Sequence, residues 1–285
     1  MSARSVSRLD QIVAQTRDEV ARRKRQLAPD ELAQSAAAVV AERASAGPGR
    51  GLRASLRQAP IAVIAEFKRR SPSAGALREG ADVAEVVGAY ERGGARALSV
   101  LTEGPNFDGS LEDLRRARAA SELPILRKDF VIDVYQLHEA VLAGADAVLL
   151  IVAALAAPAL GELHEQAAAL GLEALVEVHD ETELAVALGR GATLIGINNR
   201  DLRDFSVDVA RSSRLARALP DGVTVVSESG IHSSDQLLAL QRDGIDAVLI
   251  GESLMRARDP QGALRGLLSA LEGSVGADAT PAGKI

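Results

Sequence analysis

The chain has 285 residues, 47% of them hydrophobic and 25% charged, with a formal net charge of −6. That is the balance of an ordinary globular protein, long enough to bury a full core as one large domain or two small ones. Zero cysteines exclude disulfides and thiolate chemistry, and no apolar stretch reaches the ~18–20 residues of a membrane span.

The first 50 residues read as helical. Leu9, Ile12, Val13, Val20 and Leu27 recur at helical spacing, with Arg22, Arg23, Lys24 and Arg25 toward the end. The start lacks the apolar core of a secretion signal, so cytoplasmic is the default. The basic run suits a nucleic-acid or membrane patch less well than the wet face and last turn of a helix packed on the main body, where cations complement the helix dipole. A second, Ala-rich helical stretch covers Asp30 to Ala44. It stops at Gly47-Pro48-Gly49-Arg50-Gly51, the boundary with the main body.

From Ala62 onward a unit repeats. Gly94-Ala-Arg-Ala-Leu-Ser-Val, Gly144-Ala-Asp-Ala-Val-Leu-Leu, Gly191-Ala-Thr-Leu-Ile-Gly-Ile and Gly244-Ile-Asp-Ala-Val-Leu-Ile each place a helix-ending glycine before an apolar run. Ile61–Phe67, Pro124–Arg127, Ala174–Val178 and Val223–Ser227 bring the candidate strands to eight. Amphipathic stretches such as Val83–Arg92, Leu111–Ala120 and Ala156–Leu170 lie between them. Continuous apolar strands alternating with helices mean a parallel sheet covered on both faces. Eight units favour a closed (β/α)8 barrel of the TIM type over residues 51–272. An open doubly wound sheet is the alternative, but its glycine-rich G-x-G-x-x-G turn is missing after the first strand. The Gly/Ala/Pro-rich stretch 273–285 is expected to fray as a flexible tail.

In such a barrel the strand ends and following loops make the site. Glu66 and Lys68 follow the first strand, roughly 6–7 Å apart along one face, with Phe67 pointing the other way. A surface ion pair at a solvated strand end explains those two alone equally well. The other ends add Thr102-Glu103, Lys128-Asp129-Phe130, Glu177, Asn198-Asn199-Arg200, Glu228-Ser229-Gly230 and Gly251-Glu252, while the fourth stays apolar through Ile151-Val152. Two lysines, several carboxylates, an Asn and an Arg on one rim are a set for acid–base work.

The glycines after the last two strands, in Ser229-Gly230 and Gly251-Glu252, suggest a phosphate cradle of backbone N–H groups. Glu252 can contribute main chain only, since its carboxylate would repel the anion. Phe107 and Phe130 suit the walls of a flat-ring site, with core filling an equal alternative for either one. His138 and His164 read as helix-face residues and His179 and His232 as turn or cap residues. None forms a metal-binding pair.

The segments IAEFKRRSPS, VLTEGPNFDG, PILRKDF, GADAVLLIVA, LVEVHD, IGINNRDL, SESGI and VLIGESLM, in that order from about Ile61, resemble the indole-3-glycerol-phosphate synthase family. Residues 1–50 are similar to that family's N-terminal extension, and the stand-alone form is the expectation. Related phosphate-binding barrels share the Gly-rich ends but not the E-x-K-x-x-S-P-S segment.

The resemblance implies conversion of 1-(2-carboxyphenylamino)-1-deoxyribulose 5-phosphate to indole-3-glycerol phosphate, CO₂ and water, in tryptophan biosynthesis, with no cofactor and no required metal. It gives Lys128 the role of acid at the ketone and Glu177 that of base in the dehydration. Lys68 resembles a group that holds the substrate carboxylate and is also a candidate dehydration acid. Which lysine serves which step stays open. Glu66 would orient Lys68, while Asn198 and Glu228 would position the ring-nitrogen side and the ribulose hydroxyls. Arg200 would meet the anthranilate carboxylate. Ser71, Ser229, Gly230 and Gly251 would line substrate or phosphate, and Phe107, Phe130, Ile151 and Leu249 would sandwich the ring. Some family members carry Ser where this chain has Glu252, so backbone must serve there.

Three rivals follow: another phosphate-sugar isomerase or lyase, a non-catalytic sensor or scaffold, and nucleic-acid binding through Arg22–Arg25. The complete rim disfavours the second. The acidic balance and the shortage of aromatics, with no Trp, disfavour the third. Partners are therefore expected to be a small phosphorylated substrate, with neither nucleic acid nor membrane. A monomer is the expectation.

Overall fold

Eight apolar runs become eight strands: β1 (Ala62–Phe67), β2 (Ala97–Leu101), β3 (Ile125–Lys128), β4 (Ala147–Ile151), β5 (Glu173–Val178), β6 (Leu194–Asn198), β7 (Thr224–Glu228) and β8 (Ala247–Ile250). In this computed structural model, which describes residues 7–47, 49–201 and 206–274, each strand pairs in parallel with the next. β8 returns to β1, closing the barrel. Alternation along each strand divides the core in two. Ile64, Leu126, Leu149, Leu175, Val226 and Leu249 fill the barrel, while Val63, Phe67, Val100, Val148, Val176 and Val248 face the helices. That division puts Glu66 inside and Phe67 outside.

The covering helices are α4 (Val83–Gly93), α5 (Leu111–Ala120), α6 (Val134–Ala143), α7 (Ala157–Ala169), α8 (Glu181–Gly189), α9 (Ala210–Ala216), α10 (Ser234–Arg242), α11 (Glu252–Arg256) and α12 (Pro260–Ser274). Asp82, Ser110, Asp133, Asp180 and Ser233 cap five of them by accepting a first-turn backbone N–H. Gly94 and Gly144 end α4 and α6 with φ of 99° and 91°, a conformation that an L side chain rarely adopts.

Three N-terminal helices precede the barrel: α1 (Arg8–Gln26), α2 (Pro29–Ser45) and α3 (Leu52–Leu56). The sequence reading missed α3. Its Leu52 and Leu56 are fully buried in the barrel's interior cluster. At the other extreme, Ile12 of α1 is buried in the same cluster as Phe130 and Ile151. The basic run of α1 is only partly the wet face expected. Arg22 and Arg25 are exposed, but Arg23 Nε lies 2.7 Å from Glu139 and Lys24 Nζ 2.7 Å from Asp133, both near the start of or within α6. A short hairpin, Arg70–Ser71 with Gly75–Ala76, interrupts the loop after β1. The flexible tail expected from 273 begins two residues inside α12, and from 275 on lies outside the described residues.

Candidate active site

Lys128 ends β3 facing the barrel interior. Its Nζ lies 3.5 Å from Glu177 Oε2 on β5 and 3.4 Å from Glu228 Oε2 on β7. Glu177 Oε1 accepts from Asn198 Nδ2 of β6 at 3.2 Å, and Asn198 Oδ1 accepts from Ser229 Oγ at 2.9 Å. On the far side Lys68 Nζ meets Glu66 Oε1 at 2.5 Å. One pocket is lined by these groups together with Ser71, Phe107, Phe130, Ile151, Arg200, Leu249, Gly230, Gly251 and Glu252. Every residue given a role above is at this mouth.

The other strand-end residues turn elsewhere. Thr102 Oγ1 donates to Asp129 Oδ2 at 2.6 Å. Glu103 accepts from the backbone N–H groups of Asn106 and Phe107, fixing the loop that carries the Phe107 wall. Asn199 points out of the barrel, where its amide donates to Ser227 Oγ and to the Ser229 carbonyl. That contact helps hold Ser229 at φ 69°, an uncommon backbone for a side-chain-bearing residue.

One ammonium between two buried carboxylates cannot serve both equally. Burial opposes the charge on Lys128, but the carboxylates of Glu228, Glu177 and Glu66 outweigh it and hold the ammonium above the ordinary lysine range. Burial likewise pushes Glu177 toward neutrality, but Lys128, His179 and the Asn198 amide outweigh it and keep its carboxyl below the usual range. Glu228 has Lys128 beside it too, but this does not suffice. Burial, reinforced by Glu177 and Glu66, overcomes Lys128 and pushes it up to about 7. Its Oε1 has no hydrogen-bond partner. The pair thus comprises an ionised carboxylate and one poised to carry a proton near neutrality.

Two glycines make room for these acids. A methyl on Gly196, inside β6, would overlap Glu228 Oε1, and one on Gly251 would overlap Glu66 Oε1. Gly251 therefore seats a carboxylate as well as lining the expected phosphate end. Glu252 turns its carboxylate onto Arg256, 3.2 Å away, which meets the condition that it offer main chain only. Across the mouth the Phe107 and Phe130 rings lie 6.5 Å apart, tilted by 40°, so either can contact a flat ring without stacking on the other.

Sequence reasoning missed Ser253 and His179. The Ser253 hydroxyl lies in the pocket lining, buried without a partner, and supplies at this turn the kind of group Glu252 cannot. His138 and His164 lie on α6 and α7 as expected. His232 and His179 each stand just before an N-cap, but His179 also faces Glu177, with Nε2 3.4 Å from Oε1. Period-two alternation through Leu175 and Glu177 held that signal. Among the described residues no group of three or more His, Asp or Glu is arranged to hold a metal ion.

A family model described as indole-3-glycerol phosphate synthase matches residues 9–267. The chain belongs to the indole-3-glycerol phosphate synthase family. An Indole-3-glycerol phosphate synthase 2 from Streptomyces coelicolor is 53% identical over 225 residues, spanning 79% of this chain and 87% of the relative. An indole-3-glycerol phosphate synthase from Mycolicibacterium smegmatis is 47% identical over 266 residues, 93% of this chain and 95% of that one. Among solved structures, thiamine phosphate pyrophosphorylase from Pyrococcus furiosus superposes with a TM-score of 0.57 at 18% identity, over 79% of this chain and all (100%) of that one. That likeness is one of barrel fold alone. Membership in the indole-3-glycerol phosphate synthase family makes this chain a carboxy-lyase of tryptophan biosynthesis that acts on a small phosphorylated substrate. No described helix is long and apolar enough to cross a membrane.

Proposed function

We propose that this pocket closes the indole ring by general acid–base catalysis, with Lys128 and Glu177 as its principal acid and base. The observation that carries the reading is the placement of Lys128 between Glu177 and Glu228, one ionised and one near its titration point. As the substrate's carboxylate-bearing ring carbon attacks the ketone, the ketone oxygen takes a proton from the Lys128 ammonium. Carbon dioxide then leaves. The hydroxyl departs as water with a proton from the Lys68 ammonium, while the substrate gives up another proton to Glu177. Lys68, steadied by Glu66, holds the substrate carboxylate and is positioned to assist the dehydration, while Arg200 attracts the same anionic end. Asn198, Glu228 and Ser229 orient the ring nitrogen and the ribulose hydroxyls, with Ser71 at the loop side. Phe107, Phe130, Ile151 and Leu249 flank the ring. Main chain at Gly230, Gly251 and Glu252, with the Ser253 hydroxyl, receives the phosphate.

Ring closure is unimolecular, so folding an extended substrate onto itself is the larger task. Near-attack positioning supplies up to ~7–11 kcal/mol, and a positioned acid or base about 10²–10⁴-fold. On this reading the chain works in the cytoplasm as a monomer, with no nucleic-acid or membrane partner. Residues 1–50 are a helical extension of a barrel spanning 51–272. A steady-state assay with the carboxyphenylamino substrate, following indole fluorescence, tests the proposal. Glu177→Gln is expected to be severely impaired while still binding product. A near-normal rate would move the base elsewhere.

A further inference from the structure

His179 stands between two carboxylates. Its Nδ1 lies 3.0 Å from Glu183 Oε2 on α8, the same oxygen that accepts from the His179 backbone N–H at 2.8 Å. Its Nε2 lies 3.4 Å from Glu177 Oε1, within ion-pair range but without a hydrogen bond. Nδ1 is hydrogen-bonded to Glu183, and the imidazolium would carry its second N–H on Nε2, beside the Glu177 carboxylate. Consistently, burial works against the charge here, but Glu183 and Glu177 outweigh it and hold the ring above the ordinary histidine range.

We infer that His179 is a positioning residue for Glu177: as an imidazolium beside the Oε1 edge it holds that carboxylate by charge, leaving the Oε2 edge beside Lys128 to take the proton. The inference rests on the reading of Glu177 as base. Asn198 donates to Oε1 with His179 beside it, whereas among the described residues the Lys128 ammonium faces Oε2. The second cation also keeps Glu177 ionised beside Glu228, whose own charge would otherwise compete for Lys128. The charged groups around His179 are Glu177 on β5, Glu228 on β7, and Asp180 and Glu183 at the start of α8. Across an adjoining hollow lie Asp201, Arg211 and Arg214. Arg211 donates to the Asn198 carbonyl at 2.7 Å, and Arg214 pairs with Glu181 and Asp208, so both arginines are engaged away from the imidazole.

The test is the pH dependence of kcat/KM for His179→Gln, His179→Ala and Glu183→Gln beside the wild type. Gln keeps an N–H donor without the charge, so the acid limb should move upward by about one pH unit, as expected when a neighbouring cation is lost. Ala loses the donor too and should also drop kcat on the order of tenfold with KM nearly unchanged, through misplacement of the base. Glu183→Gln leaves the imidazole in place but removes the carboxylate sustaining its charge. The His179 ring, followed by NMR, should then lose its proton at lower pH while the acid limb stays. Because Glu183 is at the surface end of α8, this variant decides the matter if the His179 variants fail to fold. Acid limbs that superimpose, with rates within twofold of wild type, would overturn the inference, as would an unmoved ring titration of His179 in Glu183→Gln. A dead Glu177→Gln beside an unshifted His179→Gln sinks the positioning role alone. A near-normal Glu177→Gln removes the base assignment, and this inference with it.

Discussion

Arg127 and Lys128 are consecutive on β3, and their side chains leave opposite faces of the strand into two buried charge clusters of different design. Arg127, 1% exposed, is satisfied. Its guanidinium donates to Thr102 Oγ1 at 3.1 Å, Asp129 Oδ2 at 2.8 Å and the Gln136 carbonyl at 2.6 Å, with Glu139 at 3.4 Å. Arg23 of α1 reaches the same Glu139. Asp129 in turn accepts from the Phe130 N–H, and the Gln136 amide donates to the Phe130 carbonyl. Among the described residues Lys128 has two carboxylates at 3.4–3.5 Å, one of them with an unpartnered oxygen. A buried charge that supports structure is saturated with hydrogen bonds. The cluster inside the barrel is left short of partners, which is what a site awaiting a substrate requires.

The matched pair Lys128→Met and Arg127→Met tests that contrast most directly, and should give the largest effects. Losing the acid lowers kcat by about 10²–10⁴-fold, far more than it raises KM. The fold should tolerate it, because Glu228 already sits near neutrality and can take up a proton in place of the ammonium. Arg127→Met reverses the pattern. It strands Asp129 and Glu139 in a buried space, at a cost of about 3–5 kcal/mol, while the folded fraction keeps kcat within tenfold. Urea unfolding and steady-state kinetics on both variants check the pair, and equal stability losses would erase the distinction.

Gly196→Ala should have a smaller effect on the interior cluster alone. The new methyl displaces Glu228 from beside Lys128, so kcat should fall roughly tenfold, the scale of a modest misplacement. A wild-type rate would mean that Glu228 need not stay where it is.

The pH dependence of stability sharpens the same point. The folded-state pKa of Glu228 is raised to about 7, so between its unfolded value and 7 the folded protein binds more protons than the unfolded chain. Its contribution to stability is present in acid and lost as pH rises through 7. Glu228→Gln should remove that slope, whereas a variant of the Arg127 cluster should leave it. Thermal unfolding across pH 4.5 to 8 measures both.

The two clusters were unequally legible in the sequence. Strand ends showed Lys128, Glu177 and Glu228 because each stands at the polar end of a predicted strand, two residues on from the inward-facing Leu126, Leu175 and Val226, and alternation turns them inward. Arg127 and Glu139 carry no such mark. Their meeting depends on how α6 lies across β3, and periodicity fixes which face a residue takes, not what it touches. His179 fell between the two cases, since alternation aimed it at Glu177 while its place before an N-cap suggested a turn. Leu52–Leu56 was hidden for a further reason. Five residues beside a glycine-rich breaker are too few to show a helical period, yet they fill the barrel's interior cluster from its N-terminal side.

The smallest predicted effect is at the phosphate end, where the question is whether a charge in the lining takes part at all. Glu252 lines the pocket, and a carboxylate pointing at a phosphate would repel it. Instead it is engaged with Arg256 on the same short helix, a half-exposed pair one turn apart worth about 0.3–0.5 kcal/mol. Glu252→Gln should therefore leave kcat and KM within twofold and stability almost unchanged. Ser253→Ala, which removes an unpartnered buried hydroxyl without disturbing that pair, should raise KM by several-fold, the scale of a typical net hydrogen bond of about 0.5–1.5 kcal/mol. If Glu252→Gln instead lowers KM sharply, the carboxylate faces the substrate after all. The anion then binds against a repulsion that the Arg256 contact only partly relieves.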